Sequence, residues 1–419
     1  MHKIITILVL FFFVFGIPFY NIPLNSSKLT LIFLIIYYLV KKIRCKDISF
    51  KFNKDILFIS FWIIISIVLS LLSNILNGTN DFYIAYSFLL MLIETLLGSY
   101  LLYILFLKRY KFYDILNFFI AIALLQSIII LGMFVSEFIR EFIYSIANLN
   151  AEQLMQRYGG FRGFGLAGSV TYDLAFFISI PLMFISYLLS QSKKDKAYYI
   201  SAWIFIVFAI LMTGRTGWVG IAFSLLILLY NFKSKNALNS MVKFISILFI
   251  LTIILSIVLK NYYPEAYNVL IYSIVPYAFE MFINFYDTGS FSVRSMEILE
   301  NMYFLPSLKT LIIGDGYFKN PFGFGYYMHV DAGYLRMILF YGVFASLVLY
   351  IMYIYIFLKI YFKTKIYKKF NIVILMLCLY YFIVQWKGVI MSNSGMNIKL
   401  VFIIFIYVVY SMKDLKLKE

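Results

Sequence analysis

Apolar residues fill the chain in runs of about 15 to 26 residues, which short clusters of charged residues separate. A helix needs roughly 20 apolar residues to cross a hydrocarbon core about 30 Å thick. The pattern therefore predicts an all-α, polytopic integral membrane protein with about twelve transmembrane helices. We place them at 4–19, 27–40, 56–76, 82–107, 115–135, 171–189, 198–213, 217–232, 244–259, 333–358, 372–386 and 398–412.

The first apolar run, "MHKIITILVLFFFVFGIPFY", has the charged start of a signal peptide but no small-residue cleavage site. We therefore interpret it as a retained first helix, with both termini of the chain in the cytoplasm. In this orientation the cytoplasmic clusters hold 24 of the 36 lysines and arginines. That asymmetry follows the positive-inside rule and accounts for most of the net charge of +17. The charge therefore does not indicate a nucleic-acid partner.

Composition agrees with the membrane class, because 63% of the residues are hydrophobic and only 13% are charged. Soluble domains carry about 25% charged residues. Cys45 and Cys378 give neither a disulfide framework nor a metal-ligand spacing, and no acidic cluster suggests a divalent metal site. With no repeat or linker in the sequence, we predict one membrane domain over 1–419.

The two faces differ in their cations, because lysine dominates the predicted cytoplasmic clusters and arginine is concentrated outside. A guanidinium group can grip phosphate or carboxylate oxygens through two parallel hydrogen bonds, which a lysine ammonium cannot do. The sequence therefore predicts that an anionic group is handled at the outer surface. The arginines on that side are Arg140, Arg157, Arg162, Arg215, Arg294 and Arg336.

Two predicted outer loops are long, 136–170 and 260–332, and long loops in compact proteins usually bind or catalyse. The first contains Arg157 and Arg162, which we predict to bind substrate. The second, larger loop is predicted to contain short amphipathic helices.

The stretch "LMTGRTGWVGIAF" places Arg215 at the tip of an outer hairpin, where Gly214 and Gly217 permit a tight turn. Alternatively, Arg215 is an interfacial arginine whose side chain reaches lipid headgroup phosphates.

In "RSMEILENMYFLP", Arg294, Glu297 and Asn301 share one face of a predicted short helix that we expect Pro306 to end. The alternative is a solvated face with an Arg–Glu pair. The following "LIIGDGYF" predicts a tight turn and lacks the context of a nucleotide-binding loop.

The stretch "GYYMHVDAGYLRM", residues 325–337, gathers His329, Asp331, Tyr334 and Arg336 at the start of a predicted span. A charge just inside a span is costly unless it faces water or a partner, which favours a functional role for Arg336. Asp331 can instead cap the helix. The tyrosines of this stretch can stack on sugar rings, or they can instead belong to an interfacial aromatic belt.

Glu94 is the only acid deep in a predicted helix. It is expected to pair with a buried arginine rather than to act in chemistry.

Together these features resemble the O-antigen polymerase and ligase superfamily, the Wzy-type proteins. The likeness rests on the many spans, the Gly-Arg-x-Gly hairpin, the long late loop with an arginine and an apolar–Gly–x–Gly turn, and His329 and Asp331 ahead of "GYLRMILFYG". The matching part covers roughly 200–350. The Asp-x-Gly-Tyr form resembles polymerases more than ligases, many of which have a His-Asn pair there.

The resemblance implies a GT-C-like membrane glycosyltransferase in the bacterial cytoplasmic (inner) membrane, without cofactor, nucleotide sugar or metal. Its substrates are undecaprenyl-diphosphate-linked oligosaccharide repeat units of O-antigen (lipopolysaccharide), capsule or exopolysaccharide, polymerised at the outer, periplasmic face. A flippase and a chain-length regulator are the expected partners.

Carried over by position, the resemblance assigns catalytic roles to Arg215, Arg294, Asp331 and His329. Arginines would hold the diphosphate leaving group, with Arg162 and Arg336 next after the first two. Asp331 or His329 would take the proton of the acceptor hydroxyl, and Glu297 is the fallback base. Tyr334 and Arg157 complete the predicted substrate-binding set. A ligase that differs only in its acceptor, and a flippase or other transporter, stay open as alternatives.

Overall fold

The computed structural model describes residues 2–44, 53–148, 164–169, 171–191, 195–231, 246, 253–254, 256–291, 293–367, 369–392 and 395–411. Within these ranges the chain forms helices and no β-strand. The named helices are α1 His2–Phe15, α2 Ser26–Arg44, α3 Lys54–Asn77, α4 Tyr83–Leu107, α5 Phe112–Val135, α6 Glu137–Ile146, α7 Tyr172–Gln191, α8 Lys196–Thr213, α9 Gly217–Asn231, α10 Pro264–Thr288, α11 Arg294–Asn301, α12 Leu308–Ile313, α13 Gly333–Lys363, α14 Phe370–Lys387 and α15 Met396–Ser411.

Eight helices in the described ranges are long and apolar enough to cross a membrane, namely α3, α4, α5, α7, α8, α10, α13 and α14. Three shorter apolar helices, α1, α9 and α15, accompany them. This confirms an all-α chain with the helices of a multi-pass membrane protein. The count of twelve spans stays a prediction.

Eleven of the predicted spans coincide with a helix. Most of the twelfth, 244–259, lies outside the described residues.

The segment 260–332 differs most from expectation, because it contains the 25-residue helix α10 in addition to the short helices α11 and α12. Only 11% of the apolar stretch of α10 is buried, and it exposes large side chains such as Tyr272, Phe282 and Tyr286. Such a surface suits contact with lipid, across the bilayer or along its interface. That 136–170 and 260–332 are outer loops stays a prediction.

The chain divides into two compact units, one formed by 1–26 and 111–293 and the other by 27–110 and 294–419. In the first unit α7 is buried on nearly all sides and packs against α5, α8 and α9. Two contacts within this unit join segments that we predict to lie on the same face of the membrane. Lys3 forms an ion pair with Asp114 at 3.1 Å, which joins two predicted cytoplasmic clusters. Phe19 and Ala147 form an isolated antiparallel β-bridge, which joins two predicted outer segments.

In the second unit α15 is the most buried helix and packs against α4 and α13. Lys359 lies 2.9 Å from Asp55, which again joins two clusters that we predict to be cytoplasmic. Just beyond the opposite end of α3, Thr79 Oγ1 donates a hydrogen bond to Gly316 O at 2.9 Å. Residues that share a predicted face are therefore neighbours within this unit as well. Which face is cytoplasmic stays a prediction.

The turn Gly314–Asp315–Gly316 is built against a break in α13. The helix is interrupted at Tyr341 and Gly342, so that the carbonyl groups of Leu339 and Phe340 accept hydrogen bonds from Asp315 N and Gly316 N at 2.7 and 3.0 Å. Gly314 has a φ of +73°, and a Cβ on it would lie 2.3 Å from Phe340 O. Backbone packs on backbone here, which only glycine permits. "LIIGDGYF" is thus a structural turn that fixes the start of the loop after it.

Candidate functional site

The candidate site in the second unit is built on α11 and on the segment 327–336, which pack against each other. Leu299 of α11 is buried in an apolar cluster with Val330, Ala332, Leu335 and Leu339. The structure has a short helix where the sequence predicts one, in which Leu299 is buried while Met296 and Ile298 are exposed. The helix ends at Asn301, well before Pro306, so the expected role of that proline in ending it is wrong.

Arg294, Glu297 and Asn301 lie away from Leu299 around the axis of α11. Arg294, Glu297 and Asn301 are all exposed, as the spacing predicts. Because Val330 and Ala332 flank Asp331 in the chain, the apolar cluster holds α11 beside the segment that carries His329 and Asp331. A guanidinium, a carboxylate and an imidazole are therefore displayed by two mutually packed segments.

His329 is exposed and has a φ of +56°, and Met328 before it has a φ of +52°. Two successive non-glycine residues in the left-handed region are uncommon and cost conformational energy. The turn is held by hydrogen bonds from His329 N to Tyr326 O at 3.0 Å and from Val330 N to Tyr327 O at 3.1 Å. Strained backbone of this kind is often found at functional sites, and the role of His329 stays a prediction.

Asp331 is half-buried, and its backbone N–H points to Met302 Sδ at 3.4 Å. The N-cap residue of α13 is Ala332, one residue later, so Asp331 does not occupy the capping position considered from the sequence. Tyr334 is also half-buried, and its hydroxyl donates to Phe382 O at 2.8 Å. The Tyr334 ring therefore fixes the start of α13 against α14.

Arg336 is only 4% exposed. Its guanidinium lies over two aromatic rings, 3.6 Å from the ring centre of Phe318 and 3.3 Å from that of Tyr326, and it donates to Phe318 O at 3.4 Å. Cation–π contacts of this kind stabilise a buried guanidinium. The geometry indicates that Arg336 joins α13 to the loop 317–326. That Arg336 contacts a substrate stays a prediction.

Arg215 belongs to the first unit, at the turn between α8 and α9 where the sequence predicts it. It forms an ion pair with Glu280 of α10, and its guanidinium lies 4.1 Å from the ring centre of Tyr277. Its side chain is 18% exposed and that of Glu280 is 24% exposed. Gly217 is required for the turn to pack, because a Cβ there would lie 2.3 Å from Ile210 Cγ2. Arg215 thus already has a carboxylate partner.

Glu280 and Tyr277 are partners of Arg215 that the sequence does not predict. The available signal was an acid in an otherwise apolar stretch, "SIVPYAFEMF", with a tyrosine three residues before it on the same helical face.

Glu94 pairs with a lysine and not with the expected arginine. Lys399 Nζ lies 2.6 Å from Glu94 Oε1 and also 2.6 Å from Ser27 Oγ, and both charged side chains are only 3% exposed. Glu94 sits within the π-helical turn Met91–Leu97 of α4. Next to it, the Thr95 and Ser99 hydroxyls are buried without a hydrogen-bond partner among the described residues. This polar cluster lies within apolar helices.

Asp315 accepts two hydroxyl hydrogen bonds, from Thr310 at 2.8 Å and from Tyr327 at 3.4 Å. Burial, together with the negative charge of Asp315, raises the pKa of Tyr327. A neutral Tyr327 hydroxyl therefore persists at physiological pH and helps to hold the loop before His329.

Arg157 and Arg162, the predicted substrate-binding arginines of the first long loop, lie outside the described residues. Within the described ranges, no group of three or more His, Cys, Asp or Glu side chains could hold a metal ion.

Comparison with known proteins gives no relative. No family model, no curated protein and no solved structure matches this chain.

Proposed function

We propose that the protein is a glycosyltransferase that polymerises undecaprenyl-diphosphate-linked oligosaccharide repeat units at the outer face of the bacterial cytoplasmic membrane. The twelve spans, the GT-C-like arrangement and the membership of the O-antigen polymerase and ligase superfamily belong to this proposal. The observation that carries it is the display of Arg294, Glu297 and His329 by two packed segments, α11 and 327–336, at one end of the second unit.

The chemistry asked of these residues is modest, because a diphosphate is already a good leaving group. The acceptor hydroxyl oxygen forms a bond to the anomeric carbon of the donor glycan while the bond from that carbon to the diphosphate oxygen breaks. The hydroxyl proton passes to Asp331 or His329, with Glu297 as the fallback base. The guanidinium group of Arg294 stabilises the charge that grows on the departing diphosphate, and Arg215 is assigned the same role by the resemblance alone.

The test compares surface glycan from cells that carry the chain with Arg294→Ala or Arg215→Ala. We expect lipid-linked single repeats to accumulate and long polymer to disappear in both, while the protein is still made. Arg294→Lys keeps the charge and loses the planar fork, so an intermediate ladder is expected. Arg140→Ala is the matched control, because Arg140 is a predicted outer arginine on α6 that pairs weakly with Glu137 at 3.8 Å. Normal ladders in both alanine variants would contradict the proposal.

A ligase differs from this polymerase only in its acceptor. Deletion of the chain separates the two, because surface glycans limited to one attached repeat indicate a lost polymerase. Free long polymer in the deletion strain indicates a lost ligase.

A transporter of lipid-linked oligosaccharide is a second candidate, and the buried Glu94–Lys399 pair favours it. Ionisable residues within spans often mark transport pathways. The combined change Glu94→Gln with Lys399→Met removes both charges while roughly preserving volume. A polymerase should keep its ladder in this variant, whereas a transporter that uses the pair should lose all surface glycan.

A further inference from the structure

A cavity of about 750 Å³ opens at one end of the second unit, between the turn that joins α3 to α4 and the loop after Gly316. Asn80, Asp81, Tyr86, Tyr317, Lys319 and Asn320 are among the residues that line it. Its volume falls in the range typical of ligand pockets. The residues proposed above to carry the chemistry do not line it.

The two walls of this cavity are fastened together by Asp81. One carboxylate oxygen, Oδ2, accepts hydrogen bonds from Phe318 N and Lys319 N, both at 2.8 Å, and Oδ1 accepts one from Tyr83 N at 3.1 Å. Asn74 Nδ2 donates to the Asp81 carbonyl group at 3.0 Å. The cavity is therefore preformed, and a ligand would not have to order its walls.

Aromatic rings extend from the cavity toward the candidate site. Tyr83 stacks on Phe318 with 5.0 Å between ring centres, and Phe318 also contacts the Arg336 guanidinium. Tyr317 packs against Tyr327 with 5.5 Å between ring centres. The loop 317–326, part of which lines the cavity, thus runs directly into the segment that bears His329 and Asp331.

The lining suits a neutral sugar better than an anion. Tyr86 is 51% exposed, and its ring offers the flat apolar surface against which the C–H face of a pyranose packs. Asn80 and Asn320 supply amide groups that can donate to and accept from sugar hydroxyls. Lys319, whose ammonium lies 4.7 Å from the ring centre of Tyr83, is the one cation in the lining and Asp81 is the one acid. The lining therefore has no excess positive charge to attract a diphosphate.

We propose that this cavity binds a neutral pyranose unit of an oligosaccharide. That the oligosaccharide is the lipid-linked substrate rests on the proposed function, whereas the binding of the sugar itself does not. Arg294 and Arg215, which are assigned to the diphosphate, do not line the cavity, so glycan recognition and leaving-group stabilisation are carried by different residues.

The test measures sugar binding to the purified full-length chain in nanodiscs by saturation-transfer NMR. The probes are the methyl glycosides of glucose, galactose, rhamnose and N-acetylglucosamine, with inorganic pyrophosphate as competitor. We expect saturation of at least one glycoside and no competition by pyrophosphate. Tyr86→Ala and Asn320→Ala should each raise the dissociation constant by about tenfold or more.

Tyr20→Ala is the matched control, because Tyr20 is a similarly exposed tyrosine, at 53%, outside the cavity. It should bind as the unchanged chain does. Asn320 lies in a loop, so its variant reports on the site even if Tyr86→Ala fails to fold. The inference is overturned if no glycoside is saturated, if both site variants bind like the control, or if pyrophosphate displaces the sugar. Retained sugar binding together with normal polymer ladders in both Arg294→Ala and Arg215→Ala would defeat the proposed function and leave the sugar site standing.

Discussion

The ion pairs Glu94–Lys399 and Arg215–Glu280 place the same kind of interaction in opposite environments. The first is 3% exposed on both sides and lies between apolar helices of the second unit, whereas the second is about one-fifth exposed at a hairpin tip of the first unit. A buried pair is held by the large cost of leaving either charge alone, but a partly exposed pair exchanges partners at little cost. The difference separates a cation whose loss would leave a buried carboxylate unpaired from one that can exchange its carboxylate partner at little cost.

The largest expected effect comes from Lys399→Met, which leaves Glu94 charged, buried and without its ion-pair partner. We expect the free energy of unfolding to fall by about 3 to 5 kcal/mol. The measurement is unfolding of the purified chain in detergent, followed by the loss of helical circular dichroism. Adding Glu94→Gln to the same chain should recover much of the loss, because a buried charge is removed as well. A double variant as unstable as the single one would break the comparison.

Arg336→Ala tests a buried cation that aromatic rings surround. The change removes stacking on Phe318 and Tyr326 and opens a cavity, so the free energy of unfolding should fall by about 2 to 4 kcal/mol. Unfolding in detergent is again the measurement. Arg294→Ala is the control, since Arg294 is exposed on α11 and its loss should cost under about 1 kcal/mol. Equal costs for the two arginines would show that burial does not distinguish them.

The sequence predicts those features that depend on neighbouring residues. Apolar runs locate most of the helices, and a short helix that exposes Arg294, Glu297 and Asn301 lies where the sequence predicts one. The tight turn at Arg215 follows from its flanking glycines. The pattern does not predict helix α10, because its apolar run is interrupted by Pro264, Glu265, Pro276, Glu280 and Asp287.

Partners that are distant in the sequence could not be predicted in this way. Glu94 has no local feature that selects Lys399, and the rings around Arg336 come from a loop whose path depends on the break in α13. The sequence therefore identifies which residues are unusual, whereas only packing decides whether an arginine is clamped, paired or exposed.

The smallest expected change in stability comes from Glu280→Gln, and it examines what the exposed pair does for Arg215. Because both side chains are partly exposed, the free energy of unfolding should change by no more than about 1 kcal/mol. Pyrophosphate binding, measured by calorimetry on the purified chain, should strengthen by about fivefold, since the carboxylate no longer neutralises the guanidinium. Arg215→Ala should abolish that gain when it is added to Glu280→Gln. Weaker pyrophosphate binding in Glu280→Gln would mean that the Glu280 carboxylate positions Arg215 for the anion and does not compete with the anion for Arg215. The partly exposed pair would then serve structure as well.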